Sequence, residues 1–209
     1  VLQSFFDKYV DLALALLREL TPRMAISEMG LVSSLLSMLT ALTAEHREQL
    51  AARELSEPAE TAHLERLFLF ALAWSVGGTL ETADRARFDK FLRSASSILP
   101  EAGTTIGSSP SDTIYSFVVS ATSGEWEHWG KRVPSWRPPQ GDLGAAFGSI
   151  LVPTIDSTCC QYNIDLALAQ ERPVLLIGGT GTAKTSTVLQ VLARQNPAET
   201  TIKSLSFSS

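Results

Sequence analysis

This sequence has few cysteines, no long apolar run and no excess of basic over acidic residues. Its two cysteines, Cys159 and Cys160, are adjacent and unlikely partners for each other, which excludes a disulfide framework and favours a reducing compartment. The apolar stretch over residues 67–76 is about half as long as a membrane span, so we expect no membrane segment. Lysine and arginine number 17 against 22 acidic residues, a formal net charge of −5. Nucleic-acid partners require a basic surface, so none is expected.

What is present fits a globular protein. Of the 209 residues, 44% are hydrophobic and 19% are charged, and this length suits one large domain or two small ones. The sequence begins without methionine inside a helical pattern and stops in a strand-like run. We therefore expect a piece of a longer polypeptide.

Helical periodicity dominates the first hundred residues. Apolar side chains recur every three or four positions over residues 2–20 and 29–42, which predicts two amphipathic helices, the second capped by Ser27. Residues 64–75 are apolar almost all round, so this third helix is predicted at the centre of the group and is ended by Gly77 and Gly78. A fourth amphipathic helix over 86–98 follows, with Thr82 as its cap.

Strand signals follow a loop over residues 100–110 that is rich in glycine, serine and proline. Residues 113–119 have strand composition, and residues 124–136 alternate large side chains as a hairpin partner would. Trp126, Trp129 and Trp136 lack interleaved basic residues, which favours packing of this small sheet or an interface over base stacking. A linker from Pro138 to about Gly148 predicts two domains, 1–140 and 149–209.

From residue 150 the pattern changes to that of an α/β nucleotide-binding domain. Asp156 or Ser157 is the expected cap of a helix that ends near Gln170. Residues 173–177 form a short continuous aliphatic run, which is typical of a buried parallel strand. A glycine-rich loop, a helix over 184–194 and a second strand over 200–207 complete the order strand, loop, helix, strand.

The glycine-rich loop has the spacing of a phosphate-binding P-loop, in which a first glycine precedes Lys-Thr by six positions. Here Gly178 is first and Lys184-Thr185 are last. Glycines allow a tight turn whose N–H groups hold phosphate, the lysine reaches the β- and γ-phosphates of ATP or ADP, and the Thr185 hydroxyl is the expected Mg²⁺ ligand. The predicted nucleotide-contacting residues are Gly178, Gly179, Thr180, Gly181, Thr182, Ala183, Lys184, Thr185 and Ser186.

Ala183 replaces the consensus glycine that precedes the lysine. If φ is negative at this position, alanine is sterically allowed and keeps its N–H group. Its methyl group would then alter affinity or positioning without abolishing binding. Hydrolysis also requires an acidic residue at the end of a later strand and usually an arginine from a neighbour. No such strand follows the loop, so we expect no catalytic residue and no complete hydrolytic site in this piece.

Other candidate sites are weaker. Cys159 and Cys160 lack the further cysteine or histidine ligands of a zinc site, so packing of a buried helix is the preferred reading. His46, His63 and His128 are scattered in the sequence. A metal or triad site is therefore not expected from them, and we predict surface or rim positions.

The order of these segments resembles dynein heavy chains, motors with six AAA+ modules in one polypeptide. Residues 67–80 and 87–93 resemble the small domain of the second module, and residues 151–157 and 172–176 with the loop resemble the start of the third. The resemblance implies a mixed α and α/β fold. A helical AAA+ small (lid) domain with a small β element would precede the first strand, P-loop, helix and strand of the next module.

The resemblance also implies a function. A Gly-Thr-Ala-Lys-Thr loop is similar to that of axonemal heavy chains of the outer arm, which implies an ATP-driven, minus-end-directed microtubule motor of the ciliary axoneme. Expected partners are neighbouring AAA+ modules, microtubules through distant parts of the parent, and other dynein chains. The third module would be regulatory, with Val152, Pro153 and Thr154 near adenine. Alternatives are a non-motor giant AAA+ ATPase and a structural ring spacer without turnover.

Arg66 has two readings under this resemblance. It begins the apolar part of the third helix, where AAA+ small domains often carry a phosphate-sensing arginine. The alternative is an arginine at a solvated helix end.

Overall fold

In the computed structural model the chain divides into two compact units, Val1–Lys131 and Arg132–Ser209. The structure describes residues 1–47, 51, 56–105, 107–137 and 152–205. The predicted linker from Pro138 to about Gly148 lies outside these residues. Within the described residues, no helix has the length and apolar character required to cross a membrane.

The described part of the first unit contains four α-helices: α1 (Leu2–Leu17), α2 (Glu28–Glu45), α3 (Glu57–Ser75) and α4 (Thr82–Ala95). The predicted cap of α2 is confirmed, because the Ser27 hydroxyl accepts a hydrogen bond of 3.1 Å from the N–H of Gly30. The predicted cap of α4 is wrong by one residue. Glu81 is the last extended residue before α4, and Thr82 is already helical.

Helix α3 is the centre of this unit, as its all-round apolar pattern predicts. Every residue from 67 to 73 is buried, and α3 packs against α1, α2, α4 and the strand that follows. A short 3-10 turn, Gly77–Thr79, follows its end. A β-carbon at Gly77 would lie 2.1 Å from the Tyr115 hydroxyl and 2.8 Å from Phe88 Cδ1. The glycine therefore lets α4 and the chain at Tyr115 approach α3 closely.

The predicted hairpin is present but short. Strand β1 (Phe117–Val119) pairs antiparallel with β2 (Trp126–His128), with Phe117 opposite His128. The start of the predicted first strand is instead a 3-10 turn, Ile114–Ser116. Two of the three tryptophans, Trp126 and Trp129, contact the rest of the first unit, whereas Trp136 is 39% exposed. Trp129 is fully buried with its ring 6.4 Å from that of Phe70, and Trp126 donates to the carbonyl of Ile98.

The predicted surface positions of the histidines are wrong, since all three are buried. His46, at the end of α2, and His63, on α3, contact each other through Nδ1 and Nε2 at 2.9 Å. His128 accepts a hydrogen bond from the N–H of Gly130 and lies 3.4 Å from Asp112. Buried polar groups require partners, and these partners come from distant segments, which the scattered spacing did not reveal.

The described part of the second unit contains two helices, α5 (Ile155–Leu168) and α6 (Lys184–Ala193). Helix α5 begins one or two residues before its predicted caps. Thr154 is the N-cap, and its side chain and that of Ser157 form a reciprocal capping box. Cys159 is buried and Cys160 is half-buried on α5, and neither forms a disulfide bond, which agrees with the helix-packing interpretation. The described residues contain no group of three or more metal-ligating side chains.

The two predicted strands of the second unit are not formed. Residues 173–177 have no regular structure, and Val174, Leu175 and Ile177 are 43%, 65% and 52% exposed. Residues 200–205 are likewise irregular, and residues 206–209 lie outside the described part. A strand exists only through hydrogen bonds to neighbouring strands, and the described residues from 152 onward contain no strand to which these runs could pair.

Candidate phosphate-binding loop

The glycine-rich loop ends where α6 begins, so its lysine is the first residue of the helix. The Lys184 ammonium group folds back over the loop. Its Nζ donates to the carbonyls of Gly178 at 3.0 Å and Gly179 at 2.6 Å, and to the Thr182 hydroxyl at 3.1 Å. The lysine of the pattern thus lies over the glycines that precede it in the loop.

Thr182 braces the loop from inside. Its hydroxyl donates to the carbonyl of Gly179 at 2.9 Å while it accepts from Lys184. A β-carbon at Gly178 would lie only 3.1 Å from this hydroxyl, whereas one at Gly179 or Gly181 would meet nothing within 4 Å. The backbone at Gly179 and Gly181 is therefore open to a close approach by another group.

The backbone at Ala183 is left-handed, with φ 56° and ψ 18°. The negative φ at which alanine would be sterically favourable is therefore not present at this position. Gly181 also has a positive φ, of 79°, and Thr182 between them does not. Alternation of left- and right-handed residues turns successive N–H groups into one concavity that attracts anions. The loop geometry thus requires at position 183 a conformation that glycine adopts more easily than alanine.

The other predicted contact residues are accessible to varying degrees. Thr185 is exposed and Ser186 is half-buried in the first turn of α6. Val152 and Pro153 lie before α5, and Val152 is 49% exposed. No hydrogen bond among the described residues joins either of them to the loop.

Helix α6 is held by contacts that the sequence did not reveal. Thr187 is buried, and both its N–H and its hydroxyl donate to the carbonyl of Ala183 at 2.9 Å. Asp165 on α5 pairs with Arg194 after α6 at 2.9 Å. Burial raises the pKa of the Asp165 carboxyl, and Arg194 opposes that rise. Helical spacing alone indicates that α5 and α6 have polar faces, but not that these residues meet.

Gln161 and Gln190 form a second link between the same two helices, through a side-chain hydrogen bond. Together with the Asp165–Arg194 pair, it fixes α6, and with it the C-terminal end of the loop, against α5.

Arg66 in the first unit lies in the middle of α3, so its assignment to a solvated helix end is wrong. Its side chain is 14% exposed and pairs with Glu125 at 2.7 Å. It also donates to the carbonyl of Gly124 at 3.1 Å. Both partners lie in the turn between β1 and β2, so this guanidinium group ties the hairpin to the central helix. Its predicted alternative role as a phosphate sensor stays a prediction.

The donor set of the loop fits an anionic phosphate group. It combines an ammonium group, the N–H groups of a helix N-terminus and glycine positions open to a close approach. The exposed Thr185 hydroxyl is of the oxygen type that Mg²⁺ prefers. This arrangement is that of P-loop nucleotide-binding proteins.

Comparison with known families identifies the kind of P-loop protein. Residues 2–131 match the model of the dynein heavy chain AAA lid domain, and residues 140–209 match that of the P-loop containing dynein motor region. The first match alone covers more than half of the chain. The chain therefore belongs to the dynein heavy chain family.

Individual relatives are axonemal or flagellar dyneins. The chain is 33% identical over 205 residues to the dynein gamma chain of the flagellar outer arm of Chlamydomonas reinhardtii, covering 98% of this chain and 4% of the relative. It is 33% identical to dynein axonemal heavy chain 5 of Rattus norvegicus, covering 99% and 6%, and 34% identical to dynein axonemal heavy chain 8 of Mus musculus, covering 100% and 4%. The chain thus spans only a small part of these relatives.

Proposed function

We propose that this chain is part of the AAA+ motor ring of an axonemal dynein heavy chain and supplies one of its nucleotide-binding loops. The observation that carries the proposal is the Lys184 ammonium group, positioned over a P-loop at the start of α6, within a segment that matches the dynein motor region. The parent would be an ATPase that moves toward microtubule minus ends and drives ciliary beating.

The two domains would have the boundaries that the sequence predicts. Residues 1–140 would form the helical small domain of the second module with its β-hairpin, and residues 149–209 would begin the nucleotide-binding domain of the third. Two family matches that meet between residues 131 and 140 support this division. In the complete module, the exposed run at residues 173–177 would pair with other strands and become buried, as would residues 200–207.

The proposed site binds ATP or ADP with Mg²⁺. Backbone N–H groups of residues 178–186 would hold the β-phosphate, Lys184 would contact the β- and γ-phosphates, and the Thr185 hydroxyl would be a ligand of Mg²⁺. Mg²⁺ would neutralise phosphate charge. Val152 and Pro153 would lie near adenine, a role that rests on the resemblance to the family.

A regulatory role fits this site better than rapid turnover. The methyl group of Ala183 stands where the loop consensus has glycine, next to the lysine that would contact the phosphates. Membership of the dynein heavy chains disfavours a non-motor ATPase. A structural ring spacer that never binds nucleotide is the remaining alternative, and the loop geometry argues against it.

Partners and location follow from the relatives. Neighbouring AAA+ modules of the same polypeptide would contact this piece, whereas microtubules would bind distant parts of the parent. Other dynein chains would assemble with the parent in the axoneme of a cilium or flagellum. The names of the outer-arm and inner-arm relatives support this location.

The test is nucleotide binding at the loop itself in the full-length heavy chain that contains this sequence. Hydrogen exchange detected by mass spectrometry isolates the peptide spanning residues 178–187 from every other site. ADP with Mg²⁺ is expected to protect this peptide, and Lys184→Ala is expected to remove the protection. Lys203→Ala is the matched control, since Lys203 is exposed and outside the loop. Equal protection in wild type and Lys184→Ala would refute the proposal.

A further inference from the structure

We propose that Ala183 sets the nucleotide affinity of the loop, holding it below the affinity that glycine at this position would give. The inference rests on the proposed function of the loop and concerns its regulation. Of the described residues other than glycine, Glu171 and Ala183 alone have a positive φ. For L-residues with a β-carbon the left-handed region is disfavoured, whereas glycine enters it freely.

Hydrogen bonds hold the chain on both sides of Ala183. On its C-terminal side, the carbonyl of Ala183 accepts two hydrogen bonds from Thr187, which is only 4% exposed. Thr187 therefore anchors Ala183 to the first turn of α6. A right-handed backbone at Ala183 would redirect the preceding chain away from this anchor.

On its N-terminal side, the loop is closed by bonds that depend on the same turn. The Thr182 hydroxyl donates to the carbonyl of Gly179, and Lys184 Nζ donates to the carbonyls of Gly178 and Gly179. Ala183 is thus the single residue between two fixed halves. If Ala183 moves to a negative φ, the hydrogen bonds that Thr182 and Lys184 make to the loop carbonyls are broken. If it keeps its positive φ, the free-energy cost of a left-handed residue with a β-carbon remains.

This conflict gives the empty loop two conformers, one left-handed at Ala183 and one relaxed. Phosphate binds the left-handed conformer, because only there do the N–H groups converge. The apparent affinity is reduced in proportion to the population of the binding-competent conformer. ADP and ATP share the β-phosphate that the loop holds, so both are weakened by the same factor. AMP lacks that phosphate and is unaffected.

The experiment compares Ala183→Gly with wild type in the full-length heavy chain, with ADP, ATP and AMP each titrated in the presence of Mg²⁺. Exchange protection of the peptide spanning residues 178–187 reports the Kd of this site alone. Ala183→Gly is expected to lower the Kd of ADP and of ATP by about three- to tenfold each, equivalent to about 0.7–1.4 kcal/mol. Ala193→Gly is the matched control, because Ala193 ends α6 with ordinary helical geometry; its Kd values should stay within about twofold of wild type.

Ala183→Val tests the opposite direction, since β-branched residues tolerate a positive φ least. We expect its Kd for ADP to rise at least tenfold, with residues 155–168 keeping their wild-type exchange protection as evidence that α5 is intact. An unchanged Kd in Ala183→Gly, while Lys184→Ala abolishes binding, would overturn this inference and leave the proposed function standing. Protection that persists in Lys184→Ala would overturn both.

Discussion

Gly77 is the position at which one added methyl group is expected to damage the first unit most selectively. A β-carbon there would lie 2.1 Å from the Tyr115 hydroxyl and 2.8 Å from Phe88 Cδ1. Tyr115 is held in place, since its ring packs edge-on against Trp74 at 5.3 Å and lies beneath Arg85. Neither aromatic ring can move without displacing buried neighbours, so Gly77→Ala overpacks the core.

The magnitude follows from these two contacts. Overpacking a dense core typically costs about 1–3 kcal/mol, and two simultaneous clashes with buried rings put Gly77→Ala at about 3 kcal/mol. Gly78→Ala is the matched control. Its β-carbon would have Trp74 Cε3 at 3.7 Å as its nearest neighbour, an ordinary contact. We expect Gly78→Ala to change the free energy of unfolding by no more than about 0.5 kcal/mol.

Tyr115→Phe supplies the internal check. The Tyr115 hydroxyl is buried and has no hydrogen-bond partner among the described residues, so its removal alone should be neutral or slightly stabilising. Combined with Gly77→Ala, it removes the closer of the two clashes and should recover about half of the lost stability. Urea denaturation followed by tryptophan fluorescence measures all four proteins. Equal stability of Gly77→Ala and Gly78→Ala, or the absence of any recovery in the double variant, would refute the packing described.

Two further perturbations test the loop and the first unit. Thr182→Val should speed hydrogen exchange of residues 178–184 in the nucleotide-free protein, because the hydroxyl bridges the Gly179 carbonyl and Lys184 Nζ; Thr182→Ser should restore the wild-type rate, and failure of that rescue would contradict the bridging role. Burial acts to raise the pKa of Glu65, but hydrogen bonds from Tyr9 and Lys8 outweigh it and hold the pKa below its usual 4.5. Because the pKa of Glu65 is lower in the folded protein, its ionised carboxylate stabilises the fold above about pH 4.5. This stabilisation is lost as the pH falls through the pKa of the folded state. Glu65→Gln should therefore destabilise the first unit by about 1–2 kcal/mol at pH 7 and flatten its acid dependence, and an unchanged acid profile would count against this assignment.

Local patterns predicted the helices of both units. The Ser27 cap and the all-round apolar character of α3 depend on residues close in sequence, and the structure agrees with them. Helix boundaries were less certain. Thr154 rather than Asp156 or Ser157 caps α5. The capping box here uses serine at the third helical position, where glutamate or glutamine is usual, so the sequence does not show the usual signal.

Long-range partners account for what was missed. His46 and His63 are 17 positions apart and hydrogen-bond to each other in the core, which no local pattern reveals. The ion pair between Arg66 and Glu125 of the hairpin turn also joins residues far apart in the sequence, so no local pattern reveals it. The aliphatic run over residues 173–177 has strand composition, but strand formation depends on neighbours that the described residues do not supply.

At the candidate site, spacing predicts a phosphate loop that ends at a lysine, and the structure has Lys184 as the first residue of α6 with its Nζ on the carbonyl of Gly178. The backbone angle at Ala183 was not predictable in the same way. The consensus states which residue usually stands there, but only coordinates show that the position is left-handed. The sequence predicts that alanine is tolerated at position 183, whereas the positive φ in the structure makes it a source of backbone strain.

The most direct test of nucleotide binding at this loop is a structure of the full-length heavy chain with ADP and Mg²⁺, resolved at residues 178–187. We expect phosphate density within hydrogen-bond distance of the N–H groups before α6. We also expect Lys184 Nζ to have moved from the carbonyls of Gly178 and Gly179 to the phosphate. An empty loop at saturating ADP, with Lys184 Nζ still bound to those two carbonyls, would contradict nucleotide binding at this loop.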